Sequence, residues 1–339
     1  MNPTLESELA ALRDRLGPSP LSEVLLGLHH VRYLVRPDAG SALARDISSK
    51  TSYRLEGGWR RGRTGAILRL MRREGDPVGI MIEEAASPLS GSPRICGLGF
   101  RVSGAEVVRR FLRELSLPFV EEDGRIVAGP VPGLGDRFSF VEAEGFDWLD
   151  REPFERAPSE PDERVPAQPI LSRVGGIDHI AYRTRLDDVR EAATWLSRLT
   201  VHAFSECYTI GEEKAETMVF RHGNLKPAIV VSYGWESGSV VAGYVAKHGP
   251  RVHHVAYDTR GMREVVDFQR GRGISFTTES VIGSEQRGIL QIFTVPSPHS
   301  DEITEYIERF GGYTGFFDRG NVGELMDSTR RFNEPGEPG

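Results

Sequence analysis

The chain has 339 residues, 39% of them hydrophobic and 27% charged, with a formal net charge of −7. This composition is typical of a globular protein with room for two domains, and the net negative charge argues against nucleic acid as the main partner. No apolar run approaches the ~20 residues that a membrane span needs. With only two cysteines, Cys96 and Cys207, a disulfide framework is excluded, so we expect a cytoplasmic protein.

Residues 1–20 lack the apolar core of a secretory signal. They are predicted instead to form a short amphipathic helix. Four later stretches resemble one another: LHHVRYLV (28–35), CGLGFRVS (96–103), IDHIAYRT (177–184) and VHHVAYDT (252–259). Each is a plausible strand, most are followed by an amphipathic helix, and roughly three further strands come after it. The repeated unit is therefore βαβββ. Four such modules predict an α+β protein in which two pairs of modules each close a cup-shaped sheet.

The modules divide the chain into two halves. The first pair is assigned to residues 21–150 and the second pair, with a C-terminal helix, to residues 171–330. Between them, residues 151–170 contain five prolines and many charges. Proline at this density opposes both helix and ladder formation, so this stretch is predicted to be the linker. Residues 331–339 are predicted to be a frayed tail.

Three polar side chains of the second half are predicted to face its core. Each lies two residues from an apolar residue on either side, so strand alternation turns it toward the interior. The three are His179, His254 and Glu305. Two imidazoles and one carboxylate on a rigid sheet suit non-haem Fe(II), and a cation would supply the charge that a buried Glu305 needs. Hydrogen-bonded core histidines remain the alternative, and the adjacent His253 is expected on the opposite face.

The first half serves as an internal control for this metal site. His30 matches His179 in register, but Arg32 follows it on the same face. Gly97, which cannot bind a metal, occupies the position of His254. Glu83 and Glu84 are not accompanied by two histidines. We therefore expect no metal in the first half and assign it a structural role.

The segment QRGILQIFTVPSPHSDEITEYIERFGGYTGFFDRGNVGEL (286–325) resembles the C-terminal signature of 4-hydroxyphenylpyruvate dioxygenase and 4-hydroxymandelate synthase. IDHIAYRT and VHHVAYDT resemble the two histidine strands of that family, which belongs to the vicinal oxygen chelate superfamily. The similarity covers about residues 174–330 and is architectural over 25–150, where the family carries a metal-free domain. It implies the vicinal oxygen chelate fold, with two open-barrel domains. It also implies an Fe(II)-dependent dioxygenase that couples oxidative decarboxylation of a 2-oxo acid to hydroxylation of the same molecule.

The resemblance also implies roles for individual residues. The predicted Fe(II) ligands are His179, His254 and Glu305. Gln291 matches a family glutamine beside the metal and the substrate, so a catalytic and substrate-binding role is expected. Phe293 and Phe316 match aromatic residues of the substrate pocket, although core packing is the better explanation of either residue taken alone.

Three positions depart from the family pattern. Ile229 and Val240 stand where the family has polar amides, and Val322 replaces a phenylalanine. A site without these hydrogen-bonding groups loses its preference for a polar substrate. The expected substrate is therefore a less polar 2-oxo acid than 4-hydroxyphenylpyruvate, either aromatic or branched aliphatic.

Other functions remain open at this point. An extradiol catechol dioxygenase would need an additional acid–base histidine, for which His202 and His222 are candidates. A non-catalytic binding protein would keep the fold without the chemistry. An isomerase or lyase of the superfamily commonly uses a fourth protein ligand, which the third module does not offer. The expected partners are a small 2-oxo acid and dioxygen, with neither nucleic acid nor membrane, and the family is often dimeric or tetrameric.

Overall fold

A computed structural model describes residues 7, 11 and 19–333, apart from 63, 88, 90, 91, 144, 158–164, 224 and 314. Most of the predicted N-terminal helix, the centre of the predicted linker and residues 334–339 of the predicted tail lie outside the described residues. Among the helices that are described, none is long and apolar enough to cross a membrane.

The described part of the first half contains nine strands and two α-helices. In chain order they are β1 (Leu25–Val35), α1 (Gly40–Lys50), β2 (Arg54–Arg61), β3 (Ile67–Arg72), β4 (Gly79–Glu84), β5 (Arg94–Val102), α2 (Ala105–Glu114), β6 (Phe119–Glu122), β7 (Arg125–Ala128), β8 (Arg137–Val141) and β9 (Phe154–Arg156). They form one sheet in the order β6-β7-β8-β5-β1-β4-β3-β2-β9. Because β1 pairs with β5 in antiparallel register, the two βαβββ modules join through their first strands.

The described part of the second half repeats this plan with eight strands and four α-helices. They are β10 (Val174–Thr184), α3 (Val189–Leu199), β11 (Ala203–Ile210), β12 (Ala215–Arg221), β13 (Ala228–Gly234), α4 (Val240–His248), β14 (Arg251–Thr259), α5 (Met262–Gly271), β15 (Ile282–Ser284), β16 (Ile289–Phe293), β17 (Ile303–Arg309) and α6 (Arg319–Asn333). The sheet order is β11-β12-β13-β10-β14-β17-β16-β15. The predicted architecture of four βαβββ modules in two open barrels is confirmed.

Strand β9 lies inside the stretch that was predicted to be a linker. It pairs with β2 and so extends the first sheet as far as Arg156. The prediction that proline excludes ladder pairing is wrong at these residues, because Pro153 precedes the strand and β9 is an edge strand, where proline is tolerated.

The two faces of each sheet pack differently. One large apolar cluster contains strand residues of both halves together with the buried faces of the helices, such as Leu196 of α3 and Val265 of α5. Three smaller clusters lie on the concave faces, one in the first half and two in the second. In β13, Ala228 and Val230 face the concave side whereas Ile229 belongs to the large cluster, as the two-residue period of a strand requires. Helices α1, α2, α3 and α5 therefore cover one face of the sheets, whereas α4 and α6 border the concave face of the second half.

Candidate metal centre

The side chains of His179, His254 and Glu305 converge on the concave face of the second sheet. Nε2 of His179 lies 3.3 Å from Nε2 of His254, and Oε2 of Glu305 lies 3.1 Å from the first nitrogen and 3.2 Å from the second. Strand register produces this meeting. Ala256 of β14 is the cross-strand neighbour of both His179 and Glu305, and His254 stands two residues before it on the same face.

The donor and acceptor pattern of the three side chains leaves a place for a cation. Asp178 Oδ1 accepts a hydrogen bond from His179 Nδ1 at 3.0 Å, so Nε2 of His179 carries a lone pair. Oε1 of Glu305 accepts from Gln291 Nε2 at 2.8 Å, but Oε2 is buried without a hydrogen-bond donor. Acceptors that face one another in a buried site repel unless a positive charge lies between them. The residues present therefore fit a divalent metal ion.

Electrostatics around the two imidazoles agree with this fit. Burial lowers the pKa of His179, but the carboxylates of Glu305 and Asp178 more than offset burial and raise it. A metal ion would satisfy the same carboxylates in place of the proton. Burial and the positive charges of His179 and Arg183 hold the pKa of His254 well below its usual range, which favours the neutral imidazole that binds metals.

Asp178 is anchored on its other side by cations. Arg309 donates to Oδ2 at 2.7 Å, and Lys226 Nζ lies 2.8 Å from the same atom. Burial alone would raise the pKa of Asp178, yet the hydrogen bond from His179 and the charge of Arg309 lower it strongly. An ionised Asp178 fixes the orientation of the His179 ring.

A narrow cavity of about 40 Å³ is lined by two of the three side chains, His254 and Glu305. Helix α6 forms one wall through Val322, Leu325 and Met326, and Phe317 forms another. This volume holds only a few water molecules.

Several of the residues singled out from the sequence border this cavity. Gln291 connects Glu305 to α6, because its Oε1 accepts from Asn321 Nδ2 at 3.2 Å. The ring of Phe293 lies 4.9 Å from that of His254, and Val322 lines the cavity directly.

Three other pocket assignments need correction. Phe317 lines the cavity, whereas Phe316 packs beside His179 and under the guanidinium of Arg309, 4.9 Å from its ring centre. Ile229 points to the opposite face of β13, so Val230 and Ser232 occupy the cavity wall instead. Val240 packs at the margin of the concave cluster and is not among the described residues that line the cavity.

The other histidines also differ from expectation. His253 is buried in the cavity wall, because β14 has a bulge there: Ala181 pairs with His254 but Tyr182 pairs with Val252. His202 is buried away from the cavity, with Nε2 2.9 Å from the carbonyl oxygen of Pro227. Neither His202 nor His222 is among the described residues that line the cavity.

Sequence reasoning missed Asp178, Arg183, Phe317 and Asn321. Asp178 also occupies a bulge, since Ile177 pairs with Tyr257 and His179 with Ala256. The available signal was the polar pair Asp178–His179 inside an apolar strand. Arg183 was detectable as well, because it lies on the same face as His179 two alternations further along β10.

Comparison with known proteins supports the architecture. No protein-family model and no curated protein matches the chain. A mutant of 4-hydroxymandelate synthase from Streptomyces coelicolor is similar in structure, with a TM-score of 0.71 and 16% identity over 91% of this chain and 99% of that one. A xylose isomerase-like TIM barrel/4-hydroxyphenylpyruvate dioxygenase fusion protein matches with a TM-score of 0.66 and 14% identity over 97% of this chain and 57% of that one. The chain shares with them the two-domain vicinal oxygen chelate fold.

Proposed function

We propose that this protein is a dioxygenase that binds Fe(II) through His179, His254 and Glu305 and acts on a 2-oxo acid. The observation that carries the proposal is the buried, unpartnered Oε2 of Glu305 facing two imidazole nitrogens within 4.8 Å at the base of a cavity. Two histidines and one carboxylate leave open coordination positions, which suits non-haem Fe(II). The fold shared with 4-hydroxymandelate synthase and the signature of residues 286–325 support the same class.

Bound Fe(II) would supply coordination positions for the 2-oxo acid and dioxygen and the redox chemistry that couples decarboxylation to hydroxylation. The chain's own residues prepare the site. Asp178 and Gln291 hold His179 and Glu305 in fixed orientations, so the ligands need little reorganisation when the metal binds. Asn321 ties Gln291 to α6, and the apolar side chains of α6 keep bulk water away from the reacting atoms.

A catechol dioxygenase is the second candidate, because one histidine other than the candidate ligands borders the cavity. Its acid–base histidine was expected at His202 or His222, and neither borders the cavity. His253 does border it, with an unpartnered Nε2. Catechols therefore belong in the substrate test beside the 2-oxo acids.

The test begins with anaerobic Fe(II) titration of the metal-free protein, read by metal analysis and thermal unfolding. Each chain is expected to bind one iron, and iron at about 100 times its Kd should stabilise the fold by roughly 2.7 kcal/mol. Oxygen uptake is then measured with a panel of 2-oxo acids and catechols. His179→Ala should lose both iron binding and oxygen uptake.

His222→Ala is the matched control, because His222 is exposed and lies outside the cavity. It should behave like the wild type. A chain that takes up no iron, and whose His179→Ala variant melts identically with and without iron, would identify a non-catalytic binding protein. Oxygen uptake with catechols alone would replace the 2-oxo acid assignment with the catechol one.

A further inference from the structure

Arg183 is a buried cation without a counter-charge. The residue is 4% exposed, and among the described residues it forms no ion pair within 4.0 Å. Nη1 has no hydrogen-bond partner, and its closest aromatic contact is the ring of Tyr244, with a centroid 4.8 Å from Cζ. Burial lowers the pKa of Arg183 to about 10, so the guanidinium remains charged at neutral pH. An unpaired buried charge is costly for the folded state.

The position of Arg183 relates it to the candidate metal centre. It lies on the same face of β10 as His179 and also lines the cavity. Four residue steps along the strand separate the two, which places their Cα atoms about 13 Å apart at ~3.3 Å per residue. The guanidinium is therefore available to the part of a substrate remote from the metal.

The side chains between His179 and Arg183 change from apolar to polar along the cup. Next to the candidate ligands, Ala181, Val230 and Val219 are cross-strand neighbours and form an apolar row. One alternation further on, Arg183 neighbours Ser232, and Ser232 neighbours Thr217. The hydroxyls of Ser232 and Thr217 are 2.9 Å apart. The cup therefore offers metal ligands, then an apolar row, then a polar row with one net positive charge.

His253 adds a second unpartnered polar atom to the same cavity. Its Nδ1 lies 2.9 Å from Nδ1 of His254. When His254 offers Nε2 to a metal, its Nδ1 carries the proton and donates it to His253 in a hydrogen bond. A neutral His253 then carries its own proton on Nε2, which is buried without an acceptor. Arg183 and His253 thus both present donors that lack an acceptor.

We propose that Arg183 binds a second carboxylate of the substrate, so that the protein acts on a 2-oxo dicarboxylic acid with a short apolar spacer. This inference rests on the proposed function, because the 2-oxo acid end of the substrate is placed at the metal. The apolar row agrees with the less polar pocket expected from the sequence, but that expectation did not include the cationic end. A carboxylate at Arg183 would supply the missing counter-charge and accept bidentate hydrogen bonds from the guanidinium.

The test compares acids matched in length that differ in the terminal carboxylate. 2-Oxoglutarate, 2-oxoadipate and 2-oxopimelate are paired with 2-oxopentanoate, 2-oxohexanoate and 2-oxoheptanoate. Calorimetry measures the Kd of each acid for the Fe(II)-loaded protein without oxygen. For the diacid of best-fitting length, we expect binding about 10–100-fold tighter than for its matched monoacid, the usual effect of a hydrogen bond to a charged group.

Variants assign the preference to Arg183. Arg183→Met should remove the advantage of the diacid over its matched monoacid, while Arg183→Lys should retain part of it. Arg113→Met is the matched control, because the exposed Arg113 also lies over an aromatic ring, that of Phe119. Thermal unfolding of the metal-free variants provides a readout besides binding. Without a ligand, Arg183→Met should melt at or above the wild-type temperature, since it removes an unpaired buried charge.

The possible outcomes separate this inference from the proposed function. Iron binding and turnover of monoacids, with no preference for diacids, would overturn the role of Arg183 and leave the dioxygenase assignment intact. A lower melting temperature for Arg183→Met, with diacid preference unchanged, would identify a structural arginine and also overturn it. Absence of iron binding would overturn both. A diacid preference that disappears in Arg183→Met, but not in Arg113→Met, is the supporting result.

Discussion

The two halves of the chain place different residues at equivalent positions of the same strands. Pairing within each sheet fixes the correspondence, since His30 and His179 occupy the same place in the central strands β1 and β10. Strand pairing then gives the first-half equivalents of four more residues. Gly97 corresponds to His254, Ser139 to Glu305, Arg125 to Gln291 and Leu34 to Arg183. One histidine in the right register is therefore not enough to make a metal centre.

The first cup is filled by its own charges. Arg32 pairs with Glu83 at 3.4 Å, and Arg61 pairs with Glu83, Glu122 and Asp123. This network occupies the concave side, on which the second half has its cavity. Within the described residues, the group of three or more possible metal ligands that meets in space lies in the second half. The expectation that the first half holds no metal agrees with this geometry and stays a prediction.

His30 and Gly97 show how the first cup differs in detail. Nδ1 of His30 lies 2.8 Å from Nδ1 of His29, and its Nε2 lies 3.3 Å from Ser139 Oγ, so both ring nitrogens have partners. A Cβ atom added at Gly97 would lie 2.2 Å from the carbonyl oxygen of Arg137. A ligand side chain cannot stand at position 97 without separating β5 from β8. The spacing between strands, as well as residue identity, therefore decides which half can bind a metal.

The largest expected effect is the loss of iron binding when two candidate ligands of the second half are replaced by the residues at the equivalent positions of the first half. In the double variant His254→Gly, Glu305→Ser, two of three ligands are lost, so iron binding should fall below detection and oxygen uptake should disappear. Metal analysis after anaerobic loading checks the first result, and an oxygen electrode checks the second. The control is Ser205→Gly, at an exposed position of β11. One iron per chain in the double variant would locate the metal elsewhere and remove the basis of the comparison.

The second prediction concerns a feature that both halves share, a tyrosine of the central strand that contacts a buried carboxyl group of the other half. Tyr33 of the first half donates to Glu302 of the second at 2.9 Å, and the equivalent Tyr182 lies beside Asp136. Burial, only partly opposed by Lys50 and Tyr33, raises the pKa of Glu302 to about 8. Burial, partly opposed by Tyr182, raises the pKa of Asp136 to about 7.

In the unfolded chain these carboxyl groups have pKa values near 4. Between about pH 4 and pH 7–8 the folded chain therefore holds protons that the unfolded chain has released. Stability should fall as pH rises through this window, by up to about 1.4 kcal/mol per pH unit for each group. The urea midpoint of the metal-free protein should be lower at about pH 7.5 than at about pH 5. The variant Glu302→Gln, Asp136→Asn should flatten this difference, whereas Asp187→Asn, at an exposed site, should not.

The third prediction tests whether the first half can accept a histidine at the position equivalent to His254. Gly97→His supplies the missing imidazole, but the close carbonyl oxygen of Arg137 should lower the free energy of unfolding by about 1–3 kcal/mol or more. No iron binding should be gained. Gly243→Ala is the control, because a Cβ atom there meets nothing within 4 Å. Urea unfolding measures the loss, and a stable Gly97→His protein with two irons would contradict the argument from strand spacing.

The fold and the three candidate metal ligands could be predicted from the sequence. The repeats and strand alternation were sufficient to place His179, His254 and Glu305 together, because register within a sheet is regular. The positions of Asp178 and His253 were not predictable in this way, since each sits in a bulge where alternation fails. Ile229 was assigned by family alignment against the alternation of its own strand, and the alternation was the better guide.

Long-range packing accounts for the remaining differences. Phe316 and Phe317 are adjacent in a segment outside the strands, so neither periodicity nor register selects the one that lines the cavity. Arg183 was on the predicted face, but the family signature directed attention to other positions. Arg183 is distinguished by a buried guanidinium that forms neither an ion pair nor a hydrogen bond among the described residues, and that is a property of three-dimensional contacts.

The smallest predicted effect concerns the residue before the first histidine, which is His29 in the first half and Asp178 in the second. Asp178→Asn should keep a hydrogen-bond acceptor for His179 Nδ1 but remove the negative charge that makes the imidazole a stronger ligand. Iron affinity should fall about 10-fold, the lower end of the range for such partners. Asp258→Asn is the matched control, because Asp258 also contacts Lys226, at 2.9 Å, but is half exposed and does not bond His179. Equal iron affinities in the two variants, measured by anaerobic competition with a chelator, would mean that Asp178 does not orient His179. The difference between the halves would then reside in the three ligands alone.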